Sequence, residues 1–237
     1  MLDLNILFQD EFLLVVDKPA LSFVHAPDIR GVKVDRNRVL LNLLRKQLGK
    51  FVYPIHRLDF ATSGCVVFAL NSEIASKMGR DMMTGTWKKT YHAVLRGWLK
   101  ENFTWEQDLK SQKDSSKMLS ALSIGRSLSQ IELDPLPGSK FAHSRYTLAE
   151  INLETGRYHQ IRRHANFYSH PVIGDVSHGD RHHNRYFRER LDVEGLCLRA
   201  RSLEFLHPIS QEPLTIVAPV VKPWDKLYKL FGKTILR

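Results

Sequence analysis

The run Pro54-Ile55-His56-Arg57-Leu58-Asp59 sets a carboxylate two residues after a guanidinium, and Thr62-Ser63-Gly64 with the apolar stretch Cys65–Leu70 follows directly. Asp59 therefore lies in a turn-like segment at the lip of a buried strand. A charge there needs solvent or a partner, and such positions are enriched in function. The commonest job of a loop aspartate is to cap a turn, so the neighbours decide. Arg57 is one candidate partner. A second lies in Gly156-Arg157-Tyr158-His159-Gln160-Ile161-Arg162-Arg163-His164, where helical spacing turns Arg162 inward with Tyr158 and Ile161 and turns Arg163 outward. A guanidinium beside a partly buried carboxylate favours the ionised form. That suits a nucleophile or an electrostatic stabiliser and suits a general acid poorly.

These residues need a scaffold, and the apolar patterning supplies one. Residues 5–8 and 12–16 read as strands around an Asp10-Glu11 turn, with Lys18-Pro19 as a stop. Residues 37–48 place Val39, Leu40, Leu43, Leu44 and Leu48 on one helical face, with Asp35 or Asn37 as caps. Ser72 opens a second helix with Ile74, Ala75, Met78 and Met82 inward, ending near Gly85. Thr90–Leu95 is a strand that stops at Gly97. Periodicity then fades, and residues 100–140 read as a long polar insertion carrying Lys110, Lys113, Lys117, Arg126 and Lys140. A loop of that length is usually functional or mobile. Alternation resumes at Arg145–Ile151, and Thr155-Gly156 introduces a short helix with Ile161, Ala165 and Tyr168. Strands over 196–206 and 214–218 precede a final helix carrying Trp224, Leu227, Leu230 and Phe231. Strands outnumber helices without regular alternation, which predicts an α+β fold with a mixed, mostly antiparallel sheet and flanking helices.

Composition narrows the class. The 237 residues carry 35 Lys and Arg against 25 Asp and Glu, a net charge of +10, which favours a polyanionic partner, nucleic acid first and an acidic membrane surface second. Cys65 and Cys197 lie in apolar runs without a CxxC pair and read as reduced core residues of a cytoplasmic protein. The acidic start of the chain does not read as a signal peptide, and no apolar segment approaches the roughly 18 residues needed to span a bilayer.

His56-Arg57-Leu58-Asp59 with Thr62-Ser63-Gly64 resembles the catalytic motif of the RluA-type pseudouridine synthases. Further segments resemble the same family, in its order. They are Leu14–Ala20 with His25, then Lys89-Thr90-Tyr91-His92-Ala93-Val94, then Thr155–Arg162, then His170-Pro171-Val172-Ile173-Gly174-Asp175. The resemblance spans residues near 6 to near 218. It implies a single catalytic domain over 1–237 with a central RNA-binding cleft and a polar insertion near 100–140. The start of the chain lacks room for the S4 RNA-binding domain of several ribosomal relatives.

The resemblance implies that Asp59 is the catalytic aspartate, that Tyr91 stacks on the target uracil, that Arg162 pairs with Asp59, and that Arg57 helps extrude or replace the flipped nucleotide. His56, Arg157, Arg163, His178 and Arg185 are implied as further RNA contacts. The reaction breaks the N1–C1′ bond of a uridine, turns the uracil and joins C5 to C1′. No redox change or group import is needed, so neither cofactor nor metal is expected. Arg96-Gly97-Trp98-Leu99, Arg162-Arg163-His164 and His178-Gly179-Asp180 with Asn184-Arg185 resemble the branch acting on a T-stem uridine of tRNA, uridine 65 in tRNA numbering. Ribosomal RNA is the alternative substrate. Phe60-Ala61 and Leu21-Ser22 depart from the family's usual residues beside the site.

Two readings of other classes stand beside this one. His178, His182 and His183, with His170 nearby, are a possible zinc set for a metallohydrolase, but the spacing matches no HExxH signature, and Arg181, Arg185 and Arg188 lie among them. A solvated basic loop on RNA phosphate fits that segment better. The basic charge is also compatible with an RNA-binding module without catalysis.

Overall fold

In the computed structural model, which describes residues 3–27 and 34–232, the first apolar runs form a hairpin of β1 (Asn5–Gln9) and β2 (Leu13–Lys18). Asp10 shapes the turn, its Oδ1 accepting from the backbone N–H groups of Phe12 and Leu13 at 2.7 and 2.8 Å, the local bond that makes aspartate a turn residue. Asp35 caps a 3-10 turn (Arg36–Arg38), and α1 (Leu40–Leu48) begins after it, three residues later than the periodicity predicts. β3 (Tyr53–Pro54) and β4 (Ser63–Ala69) flank the Asp59 segment. α2 (Ser72–Met83) is capped by Asn71, one residue before Ser72, through its side-chain oxygen and the Ile74 N–H at 2.8 Å.

β5 (Lys88–Arg96) contains the Tyr91 strand. Much of the polar stretch over 100–140, where the fading periodicity predicts a long loop, is sheet: β6 (Asn102–Glu106), β7 (Leu109–Lys110), β8 (Met118–Leu119) and the twelve-residue β9 (Leu122–Leu133). The reason it escapes a hydrophobic reading is specific. Inward positions of β9 are small, with Ser123 and Gly125 buried while Ile124 is exposed. A Cβ on Gly125 would collide with the ring of Phe103. The pairing of β9 with β10 (Ser144–Leu153) also shifts register opposite Leu148 and Ala149, and such a bulge breaks the two-residue period.

α3 (Gln160–Phe167) forms where Thr155-Gly156 predicts a helix. The basic segment expected as a solvated loop is instead α4 (Arg181–Leu191), whose N-cap Asp180 accepts from the N–H groups of His182 and His183. Phe187 is its one fully buried residue, so no apolar stripe marks it in the sequence. β11 (Leu198–Leu206), β12 (Pro213–Val217) and α5 (Trp224–Leu230) complete the chain.

The chain divides into two compact units, Met1–Lys89 with Ala200–Pro219, and Thr90–Arg199 with Val220–Arg237. In the first, β1, β2, β4 and β11 are successive neighbours, with β3 on β4 and β12 on β11. Leu13, Val15, Val67, Met78, Trp87 and Phe205 fill its core. In the second, the order is β5-β10-β9-β6, and Tyr146, Leu148, Phe187, Trp224 and Leu227 pack beside it. The ladders within each unit are antiparallel. With five α-helices among the described residues, the fold is α+β as the patterning predicts.

Candidate active site

In the first unit, the loop from β3 to β4 carries His56, Arg57 and Asp59, and almost every turn of it is tied to backbone. Ile55 N–H donates to Val67 O at 3.0 Å, and Thr62 N–H closes a turn on Asp59 O at 3.1 Å. Ser22 N–H holds Phe60 O at 3.2 Å, while the Phe60 ring rests on Phe23 with centroids 4.5 Å apart. Gly64, at φ 116°, lets β4 pass the carbonyl of Ala200, which a Cβ would strike.

Lys18 fastens this loop from beneath. It is fully buried, and its Nζ donates to Pro19 O, Phe60 O and Thr62 O at 3.0, 3.2 and 2.7 Å. Three carbonyls take the three N–H bonds of an ammonium. Burial pushes Lys18 down to about 7, and the charges of Asp59 and Asp17 oppose that. Lys18 was legible in the sequence only as part of a motif; the signal was a lysine ending the apolar run Leu13–Val16.

His56 is half-buried, and its Nε2 accepts the backbone N–H of Val67 at 3.2 Å. Burial, helped by the charge of Lys89, pushes it down to about 4 against a backbone hydrogen bond at Arg57. At neutral pH the ring carries no charge for a phosphate and serves to seat the loop on β4. Arg57 is exposed, and its charge, after burial, lowers the pKa of His25. Asp59 is half-buried.

In the second unit, Tyr91 stands in the middle of β5, opposite Ile151 and 8% exposed. Its neighbour His92 holds Tyr228 of α5 at 2.8 Å. Successive strand residues face opposite ways, so Tyr91 lies on the sheet face away from α5.

Arg162 is 6% exposed on α3, turned inward as helical spacing predicts. Its guanidinium forms a side-on pair with Asp175, Nε to Oδ2 at 2.7 Å and Nη2 to Oδ1 at 2.8 Å. Burial alone would raise the Asp175 carboxyl, but the hydrogen bonds and charge of Arg162 and the N–H groups of His178 and Ser177 hold it below the usual range. In the sequence Asp175 marks only the end of the His170–Asp175 segment, and its spacing assigns it no role.

Gln160 organises the approach to α3, accepting from Thr155 Oγ1 and Arg157 N–H at 2.8 and 2.9 Å and donating to Leu122 O at 2.9 Å. His159, at φ 51°, stacks on Tyr158 and meets His178 Nε2 at 3.1 Å. Arg157 and Arg163 are both half-buried and bind carbonyls at the two ends of the β7–β8 hairpin, Ser120 O at 2.9 Å and Lys110 O at 3.0 Å. Arg163 is thus less outward than helical spacing predicts. Arg185 is exposed on α4 and paired with Glu189 at 2.9 Å. The histidines weighed as zinc ligands have separate partners: His183 on Tyr146, His170 on Arg96 O, His178 on His159. Among the described residues, no group of three or more His, Cys, Asp or Glu is placed to hold a metal ion.

The arrangement is a loop-held aspartate in one unit, and in the other a strand tyrosine and a buried, carboxylate-braced arginine. The family of RNA pseudouridylate synthases matches residues 12–167, a span that includes all three. The chain belongs to that family and is an isomerase that makes pseudouridine in RNA. Its relatives include tRNA pseudouridine synthase C of Vibrio cholerae, 40% identical over 238 residues that cover 97% of this chain and 96% of that one. The Haemophilus influenzae protein of the same name is 36% identical, covering 97% and 98%. Human RNA pseudouridylate synthase domain-containing proteins 4 and 1 share the fold, with TM-scores of 0.72 and 0.70 at 21% identity, each over 98% of this chain and 95% of theirs.

Proposed function

We propose that this enzyme isomerises uridine 65 in the T stem of tRNA, with Asp59 as the catalytic carboxylate. The observation that carries the reading is the end-to-end likeness, at 36–40% identity, to proteins named tRNA pseudouridine synthase C. The charge of +10 supports a polyanionic substrate.

In this reading, basic contacts to phosphate hold the stem, Arg57 among them with the exposed Arg185, while Arg157, Arg163, His56 and His178 shape the surface behind. Flipping the uridine out of the stem costs a few kcal/mol. Stacking on Tyr91 returns about 1–3 kcal/mol, and Arg57 occupies the space the base leaves. Arg162 pairs with Asp59 and orients its carboxylate toward the nucleoside. The N1–C1′ bond breaks, the uracil turns while bound, and C5 joins C1′. The proton on C5 is lost and N1 gains one, so the product is an isomer and no redox partner enters. Glycoside hydrolases commonly need a second carboxyl group to protonate a departing group; here the uracil anion is delocalised and stays bound, so one carboxylate suffices. Among the described residues no helix is long and apolar enough to cross a membrane, and both cysteines are buried and unbridged, which supports a cytoplasmic setting.

Mapping pseudouridine across tRNA and ribosomal RNA, in cells with and without the gene, tests the reading. The expected result is loss of pseudouridine at position 65 of tRNA. Loss confined to a ribosomal uridine would overturn the tRNA assignment, and a protein that binds RNA without changing any uridine would overturn the catalytic one.

A further inference from the structure

The geometry points to Asp175 and Asn184 as positioning residues for the reaction: together they fix the direction in which the Arg162 guanidinium presents its remaining N–H groups. The inference rests on the proposed role of Arg162 and names what makes that role possible.

A guanidinium has five N–H donors in a rigid plane. Asp175 accepts one from Nε and one from Nη2, which fixes the edge of the guanidinium turned toward it. A side-on pair sets both the plane and the rotation of the group, which a single contact cannot do. The pair is also deeply buried, at 6% and 0% exposure for the two side chains. Its charges cancel locally, so what Arg162 delivers to a neighbour is oriented N–H bonds more than net charge.

Asp175 can act as a brace because it is itself immobilised. Its Oδ1 accepts from the N–H groups of Ser177 and His178, both at 2.9 Å. Asn184, reaching from α4, clamps the backbone on both sides of the preceding peptide: its Oδ1 accepts from Gly174 N–H at 2.7 Å, and its Nδ2 donates to Asp175 O at 2.9 Å. Gly174 sits at φ 80°, where a Cβ would collide with the carbonyl of Gly195, so the turn has no room to slide. α4 is anchored in turn by Asp180, which caps it and pairs with Arg96 at 2.7 Å. The line from α4 through Asn184 and Asp175 to Arg162 is thus continuous hydrogen bonding, and every link is short.

A full-length tRNA transcript and single-turnover kinetics test this. Asp175→Asn and Asn184→Ala should each lower kcat, by about 100-fold and about 10-fold, since misplacement on the order of 1 Å at a reacting group can cost 100-fold. KM and the tRNA Kd should stay within about 2-fold, because the Asp175 side chain is buried and both polar atoms of Asn184 bond backbone. In an Arg162→Ala background, neither substitution should lower the rate further, whereas a merely structural role would add its loss. Unchanged kcat in both variants, or additive losses, would overturn the inference. Should Asp175→Asn fail to fold, Asn184→Ala decides alone, since it leaves the ion pair intact. A wild-type rate for Arg162→Ala would instead remove the underlying role of Arg162, so the two failures are distinct.

Discussion

The loop that carries Asp59 and the helix that carries Arg162 are held by opposite means. In the first unit the bracing is neutral or cationic: a lysine on three carbonyls and an uncharged histidine accepting from β4. In the second, the bracing is an anion, Asp175, fixed by two N–H groups and an asparagine clamp. Asp59 and Arg162 are therefore each supported by side chains that do not repel them. A carboxylate on a loop is steadied by a buried cation, and an arginine on a helix is steadied by a buried carboxylate. The two segments are thus held by partners matched in charge as well as in fit.

Breaking the two sides should have unequal consequences. Asp59→Asn is expected to bring pseudouridine formation below detection while leaving tRNA affinity within about 2-fold, because phosphate contacts supply most of the binding; measurable turnover would remove Asp59 from the chemistry. Arg162→Ala should cost about 3–5 kcal/mol in urea denaturation, since it strands a buried carboxylate. Lys18→Met should cost less, about 1–3 kcal/mol, because it leaves backbone carbonyls short of donors but buries no unpaired charge. Equal costs would show that the two braces are not of different kinds.

Acid should separate the units as well. The folded pKa of His56 lies at about 4 against an ordinary 6.5, so the unfolded state binds the extra proton first. Stability of the first unit falls as pH drops from 6.5 toward 4. Glu150, in the second unit, is held at about 2 from an ordinary 4.5 by the hydrogen bond from His92, against burial, with Arg126 adding to it. It contributes about 2–3 kcal/mol above pH 4.5 that is lost as pH falls toward 2. Trp87 lies 6.1 Å from His56, while Trp224 is in the core of the second unit. Single-tryptophan variants should therefore report the first unit loosening at the higher pH, and His56→Gln should erase that difference. The smallest effect concerns Tyr91→Phe, which keeps the ring and should bind and turn over tRNA within a few-fold of wild type, whereas Tyr91→Ala should lose about 1–3 kcal/mol of productive binding.

The residues proposed for the site are readable in the sequence because their motifs are contiguous. Asp59, Tyr91 and Arg162 each stand in a run whose residue types mark it, and the inward face of Arg162 follows from helical spacing alone. Elements with a clean period were legible too: β2, β4 and α2 appear within a residue or two of where apolar spacing puts them. β9 was not, since its inward side chains are Ser123 and Gly125 and its register jumps at a bulge. α4 was missed for the opposite reason: its cap, Asp180, is readable, but with Phe187 as its only fully buried residue its sides are polar nearly all round.

The contiguous motifs point to the reaction class and nominate the groups proposed to carry it, because both depend on residue types at short spacing. The tertiary structure decided how those groups are held. Lys18 reaches Phe60 and Thr62 across more than forty residues, Asp175 meets Arg162 across a turn and half a helix, and Asn184 arrives from a helix with no hydrophobic signature. Such partners are chosen by burial and geometry after the chain has folded, and no local pattern records them.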